Sequence, residues 1–167
     1  MMRLLSLCLA LLALASCGYH LGGLKKISMQ DMNTFCVDVF ANHTPYRNVS
    51  MQITTALADQ LQRDGTYRLV SRSECDFVVS GTVSSVSASS LRPNPDDTYL
   101  SSEIGLTVYV SYVVRDAHTG KEIVRSSVSA EGSYFNDTGS VETARDSALS
   151  YATRRAAELI VQHLTTP

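Results

Sequence analysis

The feature that most restricts the fold is a long alternation of apolar and polar residues in the middle of the chain. Apolar side chains stand at every second position: Ile104, Leu106, Val108, Val110, Tyr112 and Val114. Side chains in a β-strand alternate between the two faces of a sheet, so this spacing predicts a strand over residues 103–115. Turn residues from Asp116 to Gly120 follow, which predicts a hairpin into an antiparallel strand over residues 122–135.

A similar alternation precedes this hairpin, over residues 77–88. Its apolar positions change from odd to even numbers after Val83. One inserted residue explains such a change of parity, so a β-bulge is predicted near Ser84 and Ser85.

The remaining strand and loop signals are shorter. Residues 34–40 are rich in apolar and β-branched side chains and predict a first strand, with Phe35 and Phe40 on opposite faces. Residues 91–101 contain Pro93 and Pro95 and predict a loop before the central strand.

Two segments have helical spacing instead. Apolar residues recur every three or four positions from about residue 48 to residue 63, and Gly65 follows as a stop signal. A second, alanine-rich stripe follows Ser140, a residue type that caps helices. The order β-α-β-β-β-α predicts an α+β fold with two helices packed on one face of a four-stranded mixed β-sheet.

The N-terminal residues predict export and a lipid anchor. An apolar run ends in Leu14-Ala15-Ser16-Cys17 and is shorter than the ~20 residues that span a bilayer. A leucine three positions before a cysteine, with two small residues between, is typical of bacterial lipoprotein signals. We predict a signal peptide over residues 1–16, a lipidated Cys17 with a short tether over residues 17–33, and a single α/β sandwich domain over residues 34–167. The alternative is a secreted protein with cysteine there by chance.

Charge and cysteine content narrow the function classes. Of the 14 Lys and Arg residues, Arg3 leaves with the signal, so 13 basic and 16 acidic residues give a mature charge of −3. This balance argues against nucleic acid as a partner. Cys36 and Cys75 remain, and they either form a disulfide or stay separate buried thiols. No Cys or His pair has zinc-ligand spacing, so no metal site is predicted.

The sequence contains no recognisable arrangement of catalytic residues. The four histidines are scattered, and no Gly-x-Ser-x-Gly motif occurs. The adjacent Asp96 and Asp97 are typical of a solvated loop rather than of a cation site. We therefore predict that the protein is not an enzyme and carries no cofactor apart from the covalent lipid on Cys17.

Five short motifs, in this order and spacing, resemble the LptE-like lipopolysaccharide-assembly lipoproteins. They are Cys17-Gly-Tyr-His-Leu21, Val37-Asp-Val-Phe-Ala-Asn-His-Thr44, Asp76-Phe-Val-Val-Ser-Gly81, Asp116-Ala-His-Thr-Gly-Lys121 and Glu158-Leu-Ile-Val-Gln-His-Leu164. The resemblance implies a lipid-anchored protein of the bacterial outer membrane, with its domain on the periplasmic side or inside a barrel lumen. It also implies a plug and assembly partner of an LptD-type β-barrel translocon, which binds lipopolysaccharide during export to the cell surface.

A lipopolysaccharide site needs cations for phosphates beside aromatic or apolar surface. The candidate cations lie near predicted strand ends: Arg92, Arg115 and Lys121. The candidate aromatic residues are Tyr99, Tyr109 and Tyr112. Solvated surface charges, and tyrosines that pack in the core or on a barrel wall, are the alternatives. The serine-rich run from Ser80 to Ser90 predicts a polar sheet face, turned either to a wet barrel lumen or to ordinary solvent.

A rival function shares several of these features. Lipoproteins that activate periplasmic peptidoglycan synthases also have a lipid anchor and a first strand that ends in Asn-x-Thr. Those activators tend to carry long leaders that reach across the periplasm. The predicted tether here is about 15 residues and spans at most ~50 Å, which favours a partner in the membrane itself.

Overall fold

The computed structural model describes residues 25–94, 97–136 and 140–166, with the backbone alone at 93–94 and 97–102. Its elements are β1 (Thr34–Val37), β2 (Ala41–Asn42), α1 (Val49–Asp64), β3 (Arg68–Leu69), β4 (Phe77–Asn94), β5 (Asp97–Asp116), β6 (Glu122–Phe135) and α2 (Val141–Thr165). The predicted signal peptide and Cys17 lie outside the described residues. Within those residues, neither helix has the length and apolar character needed to cross a bilayer.

The strands form one mixed sheet. Their order is β3-β1-β4-β5-β6, with β2 paired to β4, so the sheet has six strands. β1 is parallel to β3 and β4, whereas β4, β5 and β6 are antiparallel to one another. The α+β class and the two helices are confirmed, but the prediction of four strands is wrong. The additional strands, β2 and β3, have two residues each, which is too short to produce a periodic pattern.

The predicted first strand is interrupted. β1 ends at Val37, and residues 38–40 leave the regular ladder before β2. Val39 is 64% exposed, whereas Phe40 is 2% exposed and packs in the same core as Phe35. The Phe40 backbone N–H donates to the Thr54 hydroxyl on α1 at 3.1 Å. The prediction that Phe35 and Phe40 lie on opposite faces is wrong because this bond replaces strand pairing.

The β4–β5 hairpin is longer than the alternation indicates. The predicted bulge is confirmed, since the register shifts between Val83 and Ser85. The predicted loop over residues 91–101 is wrong, because β4 continues to Asn94 and Arg92 pairs with Glu103. The ladder is irregular beyond Ser90, and irregular pairing accommodates residues such as proline that lack a backbone donor.

Both helices contribute to one hydrophobic core on the same side of the sheet. α1 buries Val49, Ile53, Leu57 and Leu61. As predicted, Gly65 ends this helix, in the left-handed conformation with φ of 77°. Ser140 caps α2 by accepting a hydrogen bond from the Thr143 backbone N–H. The alanine-rich stripe lets α2 approach β6 closely: a Cβ atom added at Gly132 would lie 2.3 Å from the Ala148 carbonyl oxygen.

Part of the predicted tether packs against the domain. A short 3-10 helix, Ile27–Met29, buries Met29 completely in the core. The Lys25 Nζ atom hydrogen-bonds Asn33 Oδ1 at 2.7 Å and stands 5.8 Å above the Tyr67 ring. Within the part of the chain that the structure describes, Lys25 and Met29 thus contact the domain although they precede Thr34.

Cys36 and Cys75 are joined as a disulfide, with their Cα atoms 5.7 Å apart. The bond connects β1 to the residues just before β4, across 39 positions of sequence. The two cysteines and Val78 form a small apolar cluster separate from the main core. In the chain-entropy account, closing a loop of this length stabilises the fold by roughly 3–4 kcal/mol.

Candidate functional site

One side of the sheet lies away from the helices and is polar. On β6, Val128 and Ala130 are buried toward the helices, while Ser127 and Ser129, which alternate with them, are exposed. The cross-strand register extends this polar side over three strands, because Ser111 pairs with Thr82 and with Ser127. We call this side of β4, β5 and β6 the open face. Its members include Ser80, Thr82, Ser85, Tyr109, Ser111, Arg115, Arg125, Ser127, Ser129 and Glu131.

Two shallow depressions lie side by side on the open face. The first has a volume of about 600 Å³ and is lined by Arg115, Arg125 and neighbouring serines. The second, about 410 Å³, is lined by Tyr109 and more serines. Ser111 and Ser127 line both, so the two depressions are continuous. Together they place two cations and one aromatic ring along one hydroxyl-rich surface.

The first depression carries a net positive charge. Arg125 binds Glu122 through two hydrogen bonds, Nε to Oε1 at 2.8 Å and Nη2 to Oε2 at 2.5 Å. Hydrogen bonding to Arg125, together with the charges of Arg125 and Arg115, holds the pKa of the Glu122 carboxyl below its ordinary value. Arg115 donates a longer bond to the Ser80 hydroxyl, at 3.4 Å. Two guanidinium groups against one carboxylate leave a surplus charge that an anion can neutralise.

The structure separates the cations that the sequence singles out. Arg115 lies on the open face and Lys121 is exposed at the adjoining β5–β6 turn, where its carbonyl accepts from the Asp116 backbone N–H at 2.9 Å. Arg92 lies in strand β4, 14 residues beyond Val78, which is the cross-strand partner of Arg115. At about 3.3 Å per residue this is roughly 45 Å. Arg92 pairs instead with Glu103, at 3.8 Å between Nη2 and Oε2.

The candidate tyrosines also differ in position. Tyr112 is buried on the helix side, where its hydroxyl lies 3.2 Å from His163 Nδ1 and burial raises its pKa. Tyr112 packs in the core, and although it also lines the first depression it is only 1% exposed. Tyr109 is 42% exposed in the second depression. The side chain of Tyr99 lies outside the described residues.

Sequence reasoning missed Arg125, although the signal was present. An antiparallel hairpin that turns after Asp116 puts Arg125 beside Val113, on the same face as Arg115. Apolar residues take even positions in both strands, such as Val114 and Val124, so the odd-numbered Arg115 and Arg125 share the opposite face. Only the register, which shifts between Val114 and Arg115, shows that the two arginines lie close together. Among the described residues, no group of His, Cys, Asp or Glu side chains could hold a metal ion.

Asp76 fixes the position of the hairpin that carries Arg115. Its Oδ2 atom accepts hydrogen bonds from the backbone N–H groups of Asn33 and Thr34, both at 2.8 Å. Its carbonyl oxygen accepts from the Ala117 backbone N–H, also at 2.8 Å. The bonds from Asn33 and Thr34 hold the pKa of the Asp76 carboxyl below its ordinary value. One residue thus connects the N-terminal segment, β1 and the β5–β6 turn.

The free energy of unfolding of the Asp76→Asn variant at pH 7 is expected to be lower than that of the wild type by about 1.5–3 kcal/mol, the range for hydrogen bonds to a charged group. Because the folded-state pKa is lowered, the stabilisation is present above the ordinary carboxyl value of about 3.9 and is lost as the pH falls through the folded-state value. Urea unfolding at several pH values measures the difference. Asp59→Asn, at an exposed position of α1, is the control and should change stability little. An equal loss of stability in Asp76→Asn at pH 7 and at pH 3 would contradict a stabilising role for the ionised Asp76 carboxylate.

The fold defines a class of small α+β domains in which helices cover one face of a mixed sheet. Solved structures share it: protein CT253 from Chlamydia trachomatis has 9% identity and a TM-score of 0.59, covering 80% of this chain and 96% of that chain. The PelC dodecamer from Paraburkholderia phytofirmans has 16% identity and a TM-score of 0.55, covering 87% and 96%. Rare lipoprotein B from Shewanella oneidensis has 18% identity and a TM-score of 0.50, covering 78% and 92%. Identities this low show similarity of fold alone.

The family is shown by the sequence itself. Residues 32–164 match the model of the LptE family, described as lipopolysaccharide-assembly. The match covers well over half of the chain, and the chain therefore belongs to the LptE family. Among curated proteins, none matches the sequence. The resemblance found from the short motifs is thereby confirmed.

Proposed function

We propose that this protein is an outer-membrane lipoprotein, acylated on Cys17, that acts as plug and assembly partner of an LptD-type β-barrel and binds lipopolysaccharide during export. The observation that carries the proposal is the family match over residues 32–164. No step of this function requires catalysis by the protein. The domain binds and positions, either on the periplasmic side of the membrane or within the barrel lumen.

The open face supplies a surface suited to this role. A barrel lumen is wet, and a hydroxyl-rich sheet face hydrogen-bonds both to water and to polar barrel side chains. The basic end of this surface is formed by Arg115, Arg125 and, at the adjoining turn, Lys121. Guanidinium groups bind phosphate through paired, charge-assisted hydrogen bonds. Arg92, at the far end, is a separate candidate contact.

The distance between lipid and domain also favours a partner in the membrane. Because Lys25 already contacts the domain, at most eight residues, from Cys17 to position 24, separate the proposed lipid from it. Fully extended, such a segment spans at most about 29 Å. A domain held this close to the bilayer reaches an integral barrel directly.

Capture of the mature lipoprotein from detergent extracts tests the proposal. The expected result is that a large outer-membrane β-barrel is recovered in roughly equal amount with the lipoprotein, identified by mass spectrometry. A matched extract from cells producing another lipoprotein of similar size is the control. Recovery of a peptidoglycan synthase in place of a barrel would overturn the proposal in favour of the synthase-activator function.

A further inference from the structure

The centre of the open face combines an aromatic ring with hydroxyl groups on both sides. Tyr109 on β5 lies directly between Ser85 on β4 and Ser129 on β6. Cross-strand neighbours of this kind stand about 4.5–5.5 Å apart. Tyr109 therefore presents its exposed side chain within a row of hydroxyls that the sheet holds at fixed spacing.

These hydroxyl groups are available to a ligand. Ser85, Ser111, Ser127 and Ser129 are exposed, and their hydroxyls form no hydrogen bond with any part of the chain that the structure describes. Each hydroxyl both donates and accepts. An acyl chain laid over them would remove their water without replacing its hydrogen bonds, which costs free energy. A sugar ring replaces those bonds with its own hydroxyls and packs its apolar face on the tyrosine ring.

The adjoining depression indicates that the ligand is also negatively charged. Arg125 lies four residues along β6 from Ser129, or roughly 13 Å. It faces the same groove as Arg115, and Glu122 neutralises one of the two charges. A ligand that covers both depressions is longer than one sugar ring and has an anionic group at the end that meets the arginines.

We propose that the open face binds an acidic oligosaccharide, with a sugar ring on Tyr109 and a phosphate or carboxylate group on Arg115 and Arg125. The inference rests on the proposed function and deepens it. This face takes the sugar portion of the glycolipid, and the acyl chains lie elsewhere.

The test uses the mature lipoprotein in detergent micelles and isothermal titration with deacylated lipopolysaccharide, which keeps its sugars and phosphates. The wild type is expected to bind this probe. Tyr109→Ala and Tyr109→Thr should each weaken binding about tenfold, as expected for loss of an aromatic contact, and Tyr109→Phe should stay within about twofold. Thr keeps the strand preference of the position, so agreement between the two variants separates the ring from local folding. Tyr151→Ala, at a 55% exposed tyrosine on α2, is the matched control and should not change binding.

The charged end is tested with the same probe after enzymatic removal of its phosphates and chemical reduction of its carboxylates. Arg115→Gln with Arg125→Gln should weaken binding of the phosphorylated probe about tenfold and change binding of a probe stripped of its anionic groups little. Arg154→Gln with Arg155→Gln is the matched control, since Arg155 also pairs with a glutamate three residues away, at 2.7 Å. The inference is overturned, and the proposed function stands, if the wild type binds intact lipopolysaccharide but not the deacylated probe. The same holds if Tyr109→Ala binds the deacylated probe as tightly as the wild type does. If intact lipopolysaccharide does not bind either, the proposed function fails with it.

Discussion

Replacing Cys17 with alanine is expected to move the protein almost entirely from the membrane fraction to the soluble envelope fraction. Each CH₂ group of a buried acyl chain contributes about 0.8 kcal/mol to membrane binding, so two or more chains hold a protein firmly and none leaves only weak contacts. The variant is best made behind a cleavable secretory signal, because removal of the native signal depends on the same cysteine. Flotation of the purified protein with phospholipid vesicles, without any barrel present, measures the loss of membrane binding.

The other N-terminal cysteine provides the control for this experiment. Cys8 lies inside the predicted signal peptide, so Cys8→Ala should be processed and float like the wild type. The mass of the mature N-terminal peptide reports the acyl groups directly. Flotation of Cys17→Ala at the wild-type level, or a mature peptide without acyl groups, would contradict lipidation at this position.

The long strands were predictable because burial gives them a period. Leu106, Val108 and Val110 alternate toward the helices, and the change of parity after Val83 marks the bulge. β2 and β3 have two residues each, so no period exists to detect. Their formation depends on pairing with β4 and β1, which a local pattern does not contain.

The secondary-structure predictions are wrong where a tertiary contact overrides the local sequence pattern. Residues 34–40 alternate like a strand, but the bond from Phe40 to the Thr54 hydroxyl turns Phe40 into the core. Pro93 predicts a loop, yet pairing of Arg92 with Glu103 extends the hairpin past this point. In both cases the deciding partner lies more than ten residues away.

The candidate site was predictable in part, residue by residue but not as a group. Arg115 and Tyr109 were singled out for their charge and ring, and both lie on the open face. Arg92 has the same chemistry, but the extended hairpin carries it roughly 45 Å away. Arg125 was overlooked because grouping it with Arg115 requires the strand register. Residue type indicates which side chains suit a ligand, and register decides which of them meet.

A large loss of stability from a single added methyl group is expected at Gly132, on β6. In Gly132→Ala the new Cβ atom would lie 2.3 Å from the Ala148 carbonyl oxygen and 3.1 Å from its carbonyl carbon. Both are backbone atoms of α2, so the whole helix must move away from the sheet. Adding a methyl group to a well-packed site typically costs 1–3 kcal/mol, and we expect about 3 kcal/mol or more here because no side chain can rotate aside. Urea unfolding followed by circular dichroism measures the change.

Gly105→Ala, on the neighbouring strand, is the matched control. Its added Cβ atom would lie 3.1 Å from the Leu91 side chain and from Glu131 Oε1, both of which are ends of flexible side chains. Alanine also loses less conformational entropy than glycine on folding, by roughly 0.5–1 kcal/mol, so this variant should be nearly as stable as the wild type. Equal losses in the two variants would mean that α2 is not packed tightly on β6. The helix side of the sheet would then be loose, and the fixed spacing of Ser127, Ser129 and Arg125 on the opposite side of β6 would lose its support.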